Sequence, residues 1–166
     1  MVRLRPYYLF TIIRQLDAGD RPVDTNSLPE ITARLVDCRF REDIQLVRSF
    51  CDACRGCVKM EPDPAGCLWG ESFRCASTGT AKRLNQVEDQ MRSIMYDLEM
   101  RFGQSMRADR LILRAVERRP FHYFHIPEWQ AAYERGVKRF TELTGLQPEI
   151  PAELLAEREH YFRYDA

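Results

Sequence analysis

The sequence predicts a mostly α-helical fold: a single helical domain with an inserted cysteine-rich metal-binding loop. Apolar residues recur at helical spacing along most of the chain, whereas this pattern fails between residues 50 and 79, where five of the six cysteines lie. With 166 residues, 45% of them hydrophobic, the chain is long enough to bury one core. We therefore expect one domain over 1–166, with a helical core in 1–49 and 80–166 and the loop in 50–79.

The first two helices are predicted from apolar spacing and from end signals. Pro6 fits the first turn of a helix whose apolar face contains Leu9, Ile12, Ile13 and Leu16. Ser27 followed by Glu30 is a capping-box pattern, which predicts that the Ser27 hydroxyl caps a second helix. Residues 42–50 are ambiguous, because their apolar positions fit both strand alternation and helical spacing.

Four further helices are predicted after the loop. The clearest runs to Gly103 and carries an apolar stripe formed by Leu84, Val87, Met91, Ile94, Met95, Leu98 and Phe102. The next covers 108–119 and ends at Pro120. Another begins at Pro127, with an apolar face formed by Trp129, Tyr133, Val137, Phe140 and Leu143. The last is short, over about 152–161.

Composition limits the classes of partner. Lys plus Arg and Asp plus Glu both number 25, so the basic excess typical of nucleic-acid binding is missing, and we expect no nucleic-acid partner. No stretch reaches the ~20 apolar residues of a membrane span, and the basic and apolar start lacks a small-residue cleavage site. We expect a cytoplasmic protein without membrane contact. In that compartment clustered cysteines favour metal or catalytic roles over structural disulfides.

The cysteines follow the pattern C-x2-C-x2-C-x9-C-x7-C, formed by Cys51, Cys54, Cys57, Cys67 and Cys75. Two intervening residues let successive thiolates point inward from a tight turn, in zinc sites and iron–sulfur clusters alike. A third cysteine at the same spacing favours an iron–sulfur cubane, so we expect four of the five to bind a [4Fe-4S] cluster. Zinc is the alternative, and it would leave Cys57 spare. Cys38, outside the cluster, is expected to be an ordinary thiol.

Three functional classes remain open. We favour electron transfer or redox sensing with a protein redox partner, with Arg55 and Lys59 near enough to favour the more negative reduced state. A lyase or desulfidase enzyme would instead keep one iron open, with an acid or base drawn from Asp52, Glu61 and Asp63. A zinc-binding structural or interaction module is the third class. The sequence assigns no catalytic residue and no oligomeric state.

The three histidines and the remaining motifs add no catalytic constellation. His122 and His125 lie among aromatic residues in "FHYFH", which favours a core or interface stretch over a metal site, and His160 is isolated. The chain has no G-x-S-x-G, no phosphate-binding loop and no H-E-x-x-H.

The opening "RLRPYYLF", the cysteine loop and "GCLWG" resemble domain-of-unknown-function family 1284, bacterial and archaeal proteins described as iron–sulfur proteins. The resemblance covers about residues 3–118. The residues that correspond to the family pattern are Arg5, Pro6, Leu9, Cys51, Cys54 and Cys67, with Gly66 in the spacer. Tyr7 and Tyr8 stand where the family has histidines, and Thr11 replaces its cysteine. The resemblance implies an iron–sulfur site in which Cys57 or Cys75 takes the place of that cysteine, and it implies no reaction.

Overall fold

The computed structural model describes residues 1–17, 27–48, 51–55 and 81–163. This part of the chain is mostly helical, which confirms the predicted fold class at that level. Its helices are α1 (Tyr8–Gln15), α2 (Leu28–Asp37), α3 (Ala81–Asp97), α4 (Ala108–Arg118), α5 (Pro127–Thr144) and α6 (Ala152–Arg163). Its strands are β1 (Val2–Leu4), β2 (Asp43–Leu46) and β3 (Ser105–Arg107), and one 3₁₀ turn spans Asp52–Cys54.

The three strands form a small sheet in the order β1, β2, β3. β1 runs parallel to β2, with Val2 opposite Ile44, whereas β3 runs antiparallel to β2, with Met106 opposite Ile44. The ambiguous segment 42–50 therefore contains a strand. β1 and β3 were not predicted, because three residues are too few to show alternation.

The closest helix packing is between α1 and α5. A Cβ built on Gly136 of α5 would lie 1.8 Å from the carbonyl oxygen of Ile13 in α1, so only glycine fits at this contact. The buried face of α1 includes Leu9 and Ile12, as its spacing predicted, and α5 contributes Tyr133. These two helices form one side of the core.

α2 begins where the capping-box pattern predicted, with Ser27 at the N-cap, but the expected hydrogen bond from the serine side chain to the helix is not formed. The Ser27 hydroxyl donates instead to the carbonyl of Arg55. The signal correctly located the start of the helix, whereas the serine is used for a tertiary contact.

α3 ends earlier than its apolar stripe indicates. The helix stops at Asp97, and Glu99 adopts a left-handed conformation with φ 53°, so Phe102 lies beyond it. Met91 and Ile94 are buried as predicted. Leu98 is also buried, in the turn after the helix, because the chain continues to follow the core there.

α4 and α5 form where predicted, with Pro127 in the first turn of α5 and Gly145 at its C-cap with φ 74°. Trp129 departs from the expected apolar face, since 40% of it is exposed. Its indole ring lies 4.1 Å from the guanidinium of the buried Arg14, a cation–π contact that explains its surface position. None of the helices in the described ranges combines the length and apolarity needed to cross a bilayer.

Candidate functional site

Cys51 and Cys54 form a buried pair of thiols. Cys51 immediately precedes the 3₁₀ turn, which Cys54 ends, and the backbone N–H of Cys54 donates to the carbonyl of Cys51 at 3.0 Å. This turn brings the two Sγ atoms to within 3.3 Å of each other. Both residues are buried: Cys51 is 0% exposed and Cys54 is 3% exposed. The separation is far longer than the ~2.05 Å of a disulfide, so the two cysteines are reduced thiols that lie side by side.

The outer edge of β1 holds this turn in place. Leu4 accepts a hydrogen bond from the backbone of Val47, on the side of β2. Alternate residues of a strand direct their N–H groups to opposite sides, so Arg3 and Arg5 direct theirs outward. The N–H of Arg3 donates to Asp52 Oδ2 at 2.7 Å, and the N–H of Arg5 donates to Cys51 Sγ. The turn thus satisfies donors that an edge strand would otherwise leave unpaired.

The start of α2 holds the turn from its other side. The N–H of Ser27 donates to the carbonyl of Ala53 at 3.0 Å, and its hydroxyl donates to the carbonyl of Arg55. Residues 51–55 are therefore anchored in the core, although the sequence placed them in a loop outside it. The rest of the predicted loop, 56–79, lies outside the described residues.

Arg5 adds a buried positive charge to the thiol pair. Only 1% of the residue is exposed, and its Nη1 donates to the hydroxyl of Tyr7 at 2.9 Å. Burial alone lowers the pKa of Arg5, but Tyr7, Cys54 and Cys51 together raise it above its ordinary value, so Arg5 stays protonated. Cysteine spacing does not indicate that Arg5 belongs to the site; the correspondence of Arg5 to the family pattern was the only sequence signal for it.

The hydrogen bonds to Cys51 favour its thiolate. The Cys54 thiol, the Arg5 charge and the backbone N–H groups of both residues lower the pKa of Cys51 to about 7, although burial opposes them. Tyr7 and Tyr8 behave in the opposite way, because burial raises the pKa of both hydroxyls. The site therefore combines a stabilised thiolate with neutral phenols and a fixed cation.

The thiol pair suits a tetrahedral metal or an iron–sulfur cluster as half of a ligand set. Two thiolates on a tetrahedral ion with ~2.3 Å bonds lie about 3.8 Å apart, within reach of small side-chain rotations from the observed 3.3 Å. Within 1–17, 27–48, 51–55 and 81–163, no group of three His, Cys, Asp or Glu residues is placed to hold a metal. Cys57, Cys67 and Cys75 lie outside the described residues.

Two residues with predicted roles are already engaged. Asp52, a candidate acid or base, accepts the N–H of Arg3 and pairs with Arg55 at 3.4 Å. Arg55, a candidate for favouring the reduced state, has a side chain that is 71% exposed, so solvent screens its charge. The other candidates, Lys59, Glu61 and Asp63, lie outside the described residues.

Cys38 and the histidines of "FHYFH" are not part of the thiol pair. Cys38 is half-buried at the end of α2, where its thiol donates to the carbonyl of Leu35 at 3.4 Å. His122 stacks on Phe10 with ring centres 3.7 Å apart, so it packs among aromatic residues as expected. His160 lies in α6, and its side chain is not among those that the structure describes.

Comparison with models of protein families, with curated proteins and with solved structures finds no match to this chain. The resemblance to domain-of-unknown-function family 1284 therefore stays a prediction.

Proposed function

We propose that this chain binds one iron–sulfur cluster, a [4Fe-4S], and acts in electron transfer or redox sensing. Cys51 and Cys54 would supply two ligands, and two of Cys57, Cys67 and Cys75 the others. The observation that carries the proposal is the convergence of Cys51 and Cys54, with Sγ atoms 3.3 Å apart, on a turn fixed by β1 and α2.

Hydrogen bonds to sulfur support this assignment. The Cys54 thiol, the Arg5 charge and the backbone N–H groups of Arg5 and Cys54 all lower the pKa of Cys51. Such bonds favour thiolate over thiol and are among the features that set the potentials of iron–sulfur centres. A cysteine that served only as a small apolar core residue would not need this set of donors.

The burial of Arg5 supports an anionic group at the site. A buried guanidinium is stable only when negative charge and hydrogen bonds compensate it. Four thiolates around a cluster carry net negative charge, and Arg5 already interacts with Cys51 and Cys54. The positive charge of Arg5 opposes a bare divalent cation held by two thiolates alone, so a complete set of four thiolates is the better complement.

When bound, such a cluster accepts and returns one electron. Arg5 would place a fixed positive charge beside it and favour the more negative, reduced state. The burial of Cys51 and Cys54 keeps water away from their sulfurs. Because Asp52 is engaged by Arg3, the enzyme alternative loses one of its three candidate acids or bases.

Metal analysis of the full chain, prepared without oxygen, tests the proposal. We expect brown protein containing iron and acid-labile sulfide, and we expect Cys51→Ser and Cys54→Ser each to lose most of both. Cys38→Ser is the matched control, because Cys38 is a free thiol at the end of α2 with a hydrogen bond of its own. It should retain iron and sulfide at the wild-type level.

Two outcomes would contradict the proposal. Colourless protein with one equivalent of zinc and no iron after reconstitution would identify the zinc module instead. If Cys54→Ser contained as much iron as Cys38→Ser, Cys54 would not be a ligand of the cluster. If the chain does contain the cluster, serine variants of Cys57, Cys67 and Cys75 identify the other two ligands. Two of these three variants should lose the cluster.

A further inference from the structure

An open cavity of about 320 Å³ lies away from the thiols, beneath α6. The C-terminal end of α3 contributes Asp97, and Arg119 follows directly after α4. Phe121 and Phe124, from the turn before α5, and Leu154 of α6 provide apolar walls. Its volume is at the small end of the range for small-molecule sites.

Arg119 is poorly compensated where it lines this cavity. Its nearest acceptors are Ser93 Oγ and Asp97 Oδ2, each 3.5 Å from Nη1, longer than a good hydrogen bond. The side chain is 23% exposed, so most of it is removed from water. Burial lowers the pKa of Arg119, and Asp97 offsets only part of that effect. A largely buried cation with loosely satisfied donors favours an anion beside it.

His122 lines the same wall of the cavity as Arg119. Its Nδ1 is buried and has no hydrogen-bond partner. Burial, Arg119 and His125 lower the pKa of His122 to about 3, so the ring is neutral and does not compete with Arg119 for an anion. The buried Nδ1 has almost no accessible surface and so does not face the cavity; the group that favours a ligand is the loosely satisfied guanidinium of Arg119.

We propose that this cavity binds a small organic carboxylate with an apolar or aromatic body. The carboxylate would pair with Arg119, whose planar donors match its two oxygens, and the body would pack against Phe121, Phe124 and Leu154. Arg118, Asp97 and Glu157 also line the cavity, and Arg118 pairs with Glu99 at 3.2 Å. The two cationic and two acidic side chains of the lining balance, so the cavity has no excess positive charge to favour a phosphate dianion over a monoanion. This inference is independent of the thiol site.

Titration of the isotope-labelled full chain with 3-phenylpropionate tests it by ¹⁵N–¹H correlation NMR. We expect saturable shifts centred on the amides of Phe121, Phe124 and Leu154. The neutral isostere 3-phenylpropanamide should bind at least about tenfold more weakly, since a hydrogen bond to a charged group contributes ~1.5–3 kcal/mol. Arg119→Met should weaken 3-phenylpropionate binding by a similar factor. Arg110→Met, at an exposed position of α4, should have no effect.

Several results would overturn the inference. These are the absence of saturable shifts up to millimolar 3-phenylpropionate, shifts centred elsewhere, and equal affinity for the acid and the amide. Undiminished binding by Arg119→Met would do the same. If that variant does not fold, the comparison of acid and amide on the wild-type chain still decides the matter.

Discussion

The backbone N–H of Arg3 donates to Asp52 Oδ2 at 2.7 Å, across the outer edge of β1. The N–H of Arg5, two residues further along, donates to Cys51 Sγ. The same strand edge therefore positions both a carboxylate and a thiol of residues 51–54. The cysteine turn is consequently part of the folded domain, and its stability is linked to that of the sheet.

Asp52→Ala should lower the free energy of unfolding by about 1 to 3 kcal/mol, because it leaves the N–H of Arg3 without its charged acceptor. Urea unfolding followed by circular dichroism measures the change. Asp89→Ala, at an exposed position on α3, is the control and should stay within about 0.5 kcal/mol of wild type. Equal effects of the two substitutions would show that the contact contributes little.

Gly136→Ala should destabilise the protein by about 2 to 4 kcal/mol. In an exposed helix this change stabilises by ~1 kcal/mol, because alanine has the higher helix propensity. Here the new methyl group would meet the carbonyl oxygen of Ile13 at 1.8 Å, so α1 and α5 must move apart. Thermal unfolding gives the sign of the effect. An increase in Tm would show that the two helices separate at little cost.

Arg5→Met should shift the midpoint potential of the bound cluster to a more negative value than Arg55→Met does. The charge of Arg5 is buried beside both thiols, whereas the side chain of Arg55 is 71% exposed and screened by water. Redox titration followed by visible absorption compares the two, and Arg5→Lys should recover part of the shift. Equal shifts in both methionine variants would mean that burial does not amplify the Arg5 charge.

Acid should destabilise the fold in part through His122. Burial, with Arg119 and His125, lowers its pKa from 6.5 to about 3. The unfolded chain therefore binds this proton first, so the stability due to neutral His122 is complete above about pH 6.5 and is lost as the pH falls toward 3. Between pH 7 and pH 4.5, wild type should lose about 2 to 3 kcal/mol more than His122→Phe in urea unfolding.

His125→Phe is the control for that comparison, because His125 is exposed and the variant keeps His122 stacked on Phe10. It should lose stability with acid nearly as wild type does. If His122→Phe loses as much as wild type, the imidazole is already protonated in the folded protein.

Removing the metal with a chelator should leave most of the far-UV helical signal. The apolar faces of α1, α4 and α5 contain none of the five clustered cysteines, although Cys51 and Cys54 belong to the same core. The holo protein should nevertheless have the higher Tm, because a ligand that binds only the folded state stabilises it. Cooperative loss of helix on chelation, as in small zinc domains, would show that folding depends on the metal.

Helical spacing was sufficient to predict most of the described fold. α4 and α5 form where their stripes indicated, because a long amphipathic face identifies a helix without tertiary information. β1 and β3 were not predicted, because strands of three residues are determined by pairing partners that are distant in sequence. Trp129 was misplaced because periodicity cannot distinguish a core aromatic residue from one that covers a buried arginine.

The candidate site was predictable only in part. The C-x2-C spacing predicted that Cys51 and Cys54 converge, because that geometry is local to one turn. The role of Arg5 was not predictable from spacing, since a buried charge is identified by the groups around it. The choice of Asp52 as a candidate acid or base shows the same limit: its carboxylate is engaged by a strand that the sequence did not reveal.

The hydrogen bonds from Arg3 and Arg5 make the cysteine turn depend on a contact between parts of the chain that are distant in sequence. β1 pairs with β2, which follows it only after two helices, so this contact closes a long loop and forms slowly. Until it forms, Cys51 lacks the amide donor of Arg5. Under the proposed function, docking of the amino-terminal strand would therefore complete the set of donors that stabilises the Cys51 thiolate as a cluster ligand.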